Sequence, residues 1–327
     1  MRILVTGGAG YIGSHVCKVA ADYGNQVVVF DNLSRGHERL VKSGPLVVGD
    51  IRDTDTLTHT LRRCKVDAVV HCAALAYVGE SEHRPSEYHS VNVAGTLSLC
   101  EAMTNAGVRS LVFSSSCSVY GNPTRIPVLE EHAIMPISVY AQTKADAEGL
   151  IASHSELSSL TLRFFNAAGS AYEFGLGECH DPETHIIPLL VNRALGMTEE
   201  DVKIFSRGIK TGDGSPTRDF VHVLDIAEAH IKALEWVTLQ QSYKHGVLNI
   251  GSGTGTSIFR LIKEIELQTG VRMAARIDIH NKRRFDPECV FADISLAESL
   301  INWKPKRGLE KIVHDAIQWA RVNAHKK

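Results

Sequence analysis

The stretch VTGGAGYIG, residues 5–13, constrains the fold more than any other part of the chain. It sets Gly7, Gly10 and Gly13 three apart, directly after an apolar run and at the mouth of a helix-like segment. Glycine suits that place because the turn is tight and the backbone must come close to a diphosphate. The helix that follows offers unpaired N–H groups and a positive dipole end to the anion. A strand before the glycines and a helix after them make this the opening of a dinucleotide-binding unit.

The first half of the chain continues in the same grammar. Strand-length apolar runs recur at 2–6, 26–30, 46–49, 67–71, 110–115 and 160–165, separated by helical segments near 12–23, 54–64, 86–106 and 138–155. Unbroken Val, Ile, Leu and Phe in the runs predict strands covered on both faces. The fold class expected is α/β, a doubly wound parallel (Rossmann) sheet with a smaller C-terminal α/β substrate-binding domain. After about residue 170 the pattern loosens into EFGLGECHDPETH and SRGIKTGDGSPTRDF, with regular segments returning at 186–197, 223–240, 246–250, 256–269 and 308–324. The division predicted is an NAD-binding domain over 1–170 and a ligand-binding domain over 171–327. Segments such as 219–240 are allowed to pack back on the first, and the second lies over the sheet's carboxyl edge.

Composition narrows the function by exclusion. A formal charge of -2 leaves no electrostatic footprint for a nucleic acid or an acidic membrane. No apolar run approaches a bilayer's thickness, and MRILVTGGAG has no signal-peptide layout, so a cytoplasmic protein is expected. The seven cysteines form no CxxC pair, which argues against disulfides and zinc. Of sixteen scattered histidines only His180 and His185 lie close together, in a loop, and no metal is expected.

Two carboxylates follow the glycine loop. Asp31 ends the second run, 18 residues past Gly13, close to the spacing of about 20 at which a carboxylate takes an adenosine ribose and repels a 2′-phosphate. That favours NAD, although Arg35 four residues on would suit a phosphate. Asp50, after the third run, either reaches the adenine or caps the next helix.

SVYAQTK, residues 138–144, carries Tyr140 and Lys144 four apart, hence on one helix face. A free tyrosine ionises near pH 10, and a neighbouring ammonium or a positive nicotinamide lowers that value. Such a tyrosine beside NAD⁺ removes a hydroxyl proton while the same carbon is oxidised. The fifth run ends SLVFSSSCSVYG, where one of Ser114 to Ser116 either bonds the substrate or satisfies backbone groups at a strand end.

TGGAGYIGSH, DNLSRG, VGESEHRP, SSSCSVYG, YAQTK and FFNAAGS, in this order, resemble the extended short-chain dehydrogenase/reductase family, and within it the UDP-glucose 4-epimerases. HIIPLL, KIFSRGIKTGDGSPTRDFVHVLDIAEAH, LNIGSGTGTS and INWKP extend the resemblance over nearly the whole chain. It implies interconversion of UDP-galactose and UDP-glucose through a 4-keto sugar on bound NAD, in a homodimer whose partner helices are those near 86–106 and 138–155. By resemblance Tyr140 is the base, Lys144 its partner and a nicotinamide-ribose ligand, and Ser116 the partner of the sugar O4. Tyr11, Ile12, Asp31, Asn32, Asp50, Ile51, Ala73, Asn92, Ser114 and Phe165 fall at NAD positions beside the glycines. Asn166, His185, Ile186, Ile204, Phe205, Arg218, Arg283, Asp286 and Val290 match positions that hold the UDP-sugar.

Departures from the family pattern are informative. Ala76 stands where many such epimerases carry a phosphate-binding lysine. KRRFDPE has Phe285 where glycine is usual, which leaves the phosphate contact to either Arg283 or Arg284. Val290 is smaller than a tyrosine and predicts room beside the sugar, enough for an N-acetyl group, so UDP-N-acetylglucosamine and UDP-pentoses stay open as substrates. A nucleotide-sugar dehydratase would need an acid and a base where Cys117 and Ser118 stand. A non-catalytic sensor would have no use for both Tyr140 and Lys144.

Overall fold

The computed structural model describes residues 1–240, 244–281 and 287–324. Its main elements run β1 (Arg2–Thr6), α1 (Tyr11–Asp22), β2 (Gln26–Asp31), β3 (Leu46–Val48), α2 (Thr54–Arg63), β4 (Ala68–His71), α3 (Gly95–Ala106), β5 (Ser110–Ser116), α4 (Val139–Ser153), β6 (Ser158–Phe164), α5 (Ile186–Ala194), α6 (Val223–Thr238), β7 (His245–Ile250), α7 (Ile258–Thr269) and α8 (Leu309–Ala324). The seven strands form one sheet in the order β7-β6-β5-β4-β1-β2-β3, every pairing parallel. The order reverses between β1 and β4, and open α/β sheets bind ligands in the crevice beyond the carboxyl ends at such a point.

Alternation along the strands fills two cores at once. Ile3 and Val5 of β1 join Val112, Leu160 and Leu162 on the face covered by α1 and α6. Leu4 turns the other way, to Phe30, Val69, Leu111 and Phe113 under α2, α3 and α4. Both faces are apolar, so the strands read as unbroken hydrophobic runs. A third core gathers Ile187, Leu190, Phe220, Leu261, Ile265, Ile312 and Val313 between α5, α7 and α8.

Two segments beyond residue 170 belong to the central sheet's architecture. β7 pairs along its whole length with β6, from His245 opposite Ser159 to Ile250 opposite Phe164. α6 buries Ile226, Ala229, Ile231 and Leu234 in the same core as β1 and β5. The helical segment near 86–106 is broken into Pro85–His89, a wider π turn at Ser90–Ala94, and α3. No helix among the described residues is long and apolar enough to cross a membrane.

Candidate active site

The glycine loop lies between the carboxyl ends of β1 and β4. Gly7 adopts φ +69°, and a Cβ there would stand 2.6 Å from the Ala73 backbone nitrogen, so the loop after β4 touches it directly. A Cβ on Gly13 would stand 2.2 Å from the Gly7 carbonyl oxygen, which lets α1 start against the loop. Gly10, the residue before α1, has no side chain to cap its first-turn N–H groups. Tyr11 turns away and donates from its hydroxyl to the Gly169 carbonyl (2.7 Å), which ties the loop to the second half of the chain. Ile12 packs against the core of the α1 face.

Asp31 is buried, and burial raises its carboxyl above the usual range. It accepts from the N–H groups of Ala9 (3.0 Å) and Leu33 (2.8 Å), bracing the glycine loop against the β2 turn. A carboxylate has about four acceptor sites, so ribose hydroxyls can be met as well. Arg35 pairs with Glu80 at 2.5 Å and lies over the Tyr77 ring, so its charge is directed to a protein partner rather than to a 2′-phosphate. These residues fit NAD: glycines where side chains would clash, and a carboxylate at the end of β2.

Asp50 does not cap α2. Asp53 does, accepting from Thr56 N at 3.0 Å, while Asp50 grips the Arg52 guanidinium (2.7 Å) and Asn32 Nδ2 (3.1 Å). The Arg52 hydrogen bond holds the Asp50 carboxyl well below its ordinary value. Ile51 beside it is buried among Leu57 and Leu99. Asn92 clamps the β4 loop to α4: it accepts from Leu75 N and donates to Leu75 O and Thr143 Oγ1, all at 2.8–3.0 Å.

Ser138 starts α4 by accepting from Ala141 N (3.2 Å), which places Tyr140 in the first turn and Lys144 one turn below. Both side chains are buried against the end of β5. Burial pushes the Tyr140 phenol up to about 12, and the neighbouring Ser116 hydroxyl opposes that shift. Lys144 donates to the Ser114 carbonyl at 2.8 Å, and burial lowers its ammonium to about 8. Desolvation of the phenolate dominates, and the ammonium is held on a backbone oxygen.

The other predicted positions are spread over several elements. Ser114 Oγ bonds His230 Nε2 (2.7 Å), whereas Ser116 Oγ, beside Tyr140, accepts from Ser118 N at 3.2 Å. Phe165 and Val290 share one small buried cluster with Val119, Tyr120 and Val128, so Val290 is already covered by neighbours. Asn166 is exposed and continues past β6 into a short pairing with Phe220. Arg218 is buried and donates to the Thr217 carbonyl. Ile204 is buried in the third core and Ile186 packs against it. The Phe205 ring lies 5.5 Å from the His280 ring. Arg283 and Asp286 lie outside the described residues.

Three further features stand out, of which the sequence pattern announces only the pair His180 and His185. Ser118 Oγ, two residues past Ser116, is buried and without a hydrogen-bond partner among the described residues. Glu148 of α4 and Arg163 of β6 form a buried ion pair at 2.6 Å behind Lys144. His180 and His185 are joined by Glu178 and Glu183 in one compact cluster.

The model of the NAD dependent epimerase/dehydratase family matches residues 3–251. The chain belongs to this family. It is 41% identical to the UDP-glucose 4-epimerase of Rhizobium leguminosarum bv. trifolii, over 99% of this chain and 98% of the relative. To that of Rhizobium meliloti (strain 1021) it is 42% identical, over 97% and 96%. The UDP-glucose 4-epimerase of Stenotrophomonas maltophila, solved with bound NAD and formylated UDP-arabinopyranose, superposes with a TM-score of 0.95 at 37% identity, over all of both chains. The Brucella ovis enzyme in complex with NAD gives 0.92 at 39% identity, covering 97% of each.

Proposed function

We infer that the chain is a UDP-glucose 4-epimerase, an isomerase that interconverts UDP-galactose and UDP-glucose with resident NAD. The observation that carries this is the burial of Tyr140 and Lys144 together against the carboxyl end of β5, with Ser116 beside the phenol, next to a glycine loop that admits a dinucleotide. NAD, when bound, supplies the redox partner for C4 of the sugar, which passes through a 4-keto form. Tyr140 takes the proton from the O4 hydroxyl and later returns it. Ser116 holds O4 on the phenol, and Lys144 fixes the end of β5 through the Ser114 carbonyl. Arg218 and the segment around Phe205 suit the pyrophosphate and uracil, an anion for a guanidinium and a flat base for a ring.

Epimerisation needs the nucleotide anchored while the sugar turns. The polar contacts assigned to UDP come from the second half of the chain, and those assigned to C4 come from β5 and α4. That division supports a ligand-binding unit after residue 170 working against the dinucleotide unit before it.

The chain acts as a homodimer in this reading, with the outer faces of α3 and α4 as the contact. Two open grooves lie along those faces, one lined by Glu101, Thr104 and His154, the other by His89, Gln142 and Asp146. A cytoplasmic place fits an enzyme whose substrate and cofactor are both cytoplasmic metabolites.

The test is direct. Purified protein is incubated with UDP-galactose, and separately with UDP-N-acetylgalactosamine, without added cofactor, and the products are resolved by chromatography. The matching gluco-sugar is expected from UDP-galactose. No product from either sugar, even after NAD⁺ is added, overturns the reading.

A further inference from the structure

We propose that Glu178, His180, Glu183 and His185 form a binding site for one divalent transition-metal ion of the zinc type. One ligand atom from each of the four lies within 4.8 Å of all the others. The nearest approaches are tighter. Glu178 Oε1 stands 3.0 Å from His180 Nδ1 and 2.8 Å from His185 Nδ1, and Glu183 Oε1 stands 2.9 Å from His185 Nδ1. His180 Nδ1 and Glu183 Oε2 are 3.8 Å apart. A tetrahedral zinc ion with bonds of 2.0–2.2 Å holds its ligand atoms roughly 3.3 Å apart, near the closest approaches here and inside the 4.8 Å that bounds the set. Two imidazoles and two carboxylates are borderline ligands, suited to zinc and cobalt rather than to calcium or magnesium.

The donors are held in place by groups outside the set, as metal ligands commonly are. Glu183 Oε1 accepts from the backbone N–H groups of Thr184 and His185 (both 2.8 Å) at the start of α5. The Glu178 carbonyl accepts from Trp319 Nε1 of α8 (2.7 Å), and the Cys179 carbonyl bonds His37 Nε2 (2.8 Å). The side chain of Glu178 is 8% exposed, so it sits beneath the other three. Two carboxylates crowded into so small a space call for positive charge between them. A dication supplies it with one particle.

The place gives such an ion a task. The His180 ring stands edge-on to Tyr11 (6.2 Å) and to Tyr77 (5.5 Å), residues of the glycine loop and of the loop after β4. An ion bound here would fasten the 178–185 segment across both loops at the dinucleotide cleft. The ion's task is therefore structural, and the proposal stands whichever sugar the enzyme takes.

The experiment uses the full-length holoenzyme, dialysed against a chelator and then titrated with ZnCl₂ by calorimetry, and in parallel with CoCl₂ by visible absorption. About one ion per chain is expected, with affinity weakened at least tenfold in Glu178→Gln/His180→Asn. X-ray absorption on the wild-type zinc form needs no variant and should show two imidazoles in the shell. An all-oxygen shell, no binding at millimolar metal, or the same affinity in the double variant overturns the proposal.

Discussion

Removing the carboxylate of Glu148 should destabilise the protein far more than removing any exposed charge. Glu148 Oε1 accepts from Arg163 Nε (3.0 Å) and Oε2 from Arg163 Nη2 (2.6 Å), and Ser115 Oγ donates to Oε1 as well. The side chains are 7% and 4% exposed. In Glu148→Ala the guanidinium keeps only Tyr120 Oη and the Glu130 carbonyl, both uncharged, and Ser115 loses its partner. Breaking a buried pair from one side costs about 3–5 kcal/mol because a charge stays behind. That is a large part of the roughly 5–15 kcal/mol that holds a typical domain together. Asp22→Ala, which opens the Lys18–Asp22 pair at a half-exposed aspartate, should cost less than about 1 kcal/mol. Urea unfolding followed by circular dichroism, at fixed protein concentration and saturating NAD⁺, measures both. Glu148→Met/Arg163→Met removes both charges and should recover most of the loss. A single-variant cost under about 1 kcal/mol, or a double variant as weak as the single, refutes the argument.

Other outcomes follow from the same geometry. Tyr140→Phe should lower turnover by about 10²–10⁴-fold while the purified protein keeps its NAD, read by absorbance after denaturation. Gly13→Ala drives a Cβ to 2.2 Å from the Gly7 carbonyl oxygen and should strip NAD from the protein, read by the same absorbance. Lys144 is lowered from its ordinary 10.5 to about 8, so between those values the unfolded chain binds more protons and stability rises with pH. Subtracting the unfolding curve of Lys144→Met from that of the wild type isolates this slope, and a flat difference between pH 8 and 10.5 would contradict the assignment.

What the sequence disclosed was local, and what it hid was settled across long distances. The strands of the sheet were legible because both faces are buried, which turns each into an apolar run. Ser158 and Ser159 open β6 yet are buried, so the run LTLRFF begins two residues late. β7 pairs with a strand more than eighty residues before it, and no local pattern announces a sheet neighbour. Charges were hardest to place. Spacing alone would pair Lys144 with Glu148 on one helix face, but Glu148 faces Arg163 of β6 and Lys144 faces a carbonyl. Asp225 and Glu228 sit buried in α6 and meet Arg307 and Lys306 from far along the chain. Asp50 was open between two roles until Asp53 proved to be the cap.

The Tyr140 site shows why this matters for chemistry. From the motif alone Lys144 is read as the group that makes the tyrosine a base. The fold does something else: it buries both, so each resists its charged form, the phenol moving up to about 12 and the ammonium down to about 8. Left to the protein's own groups, Tyr140 keeps its proton at neutral pH. It gives the proton up only when a further positive charge stands beside it, and the oxidised nicotinamide of NAD⁺ carries one. Once that charge is neutralised by reduction, the phenol again favours holding a proton. In the proposed reaction a tyrosine so placed would take a proton from O4 while NAD⁺ is bound and hold one to return while NADH is bound, so burial would tie the proton transfer to the redox state.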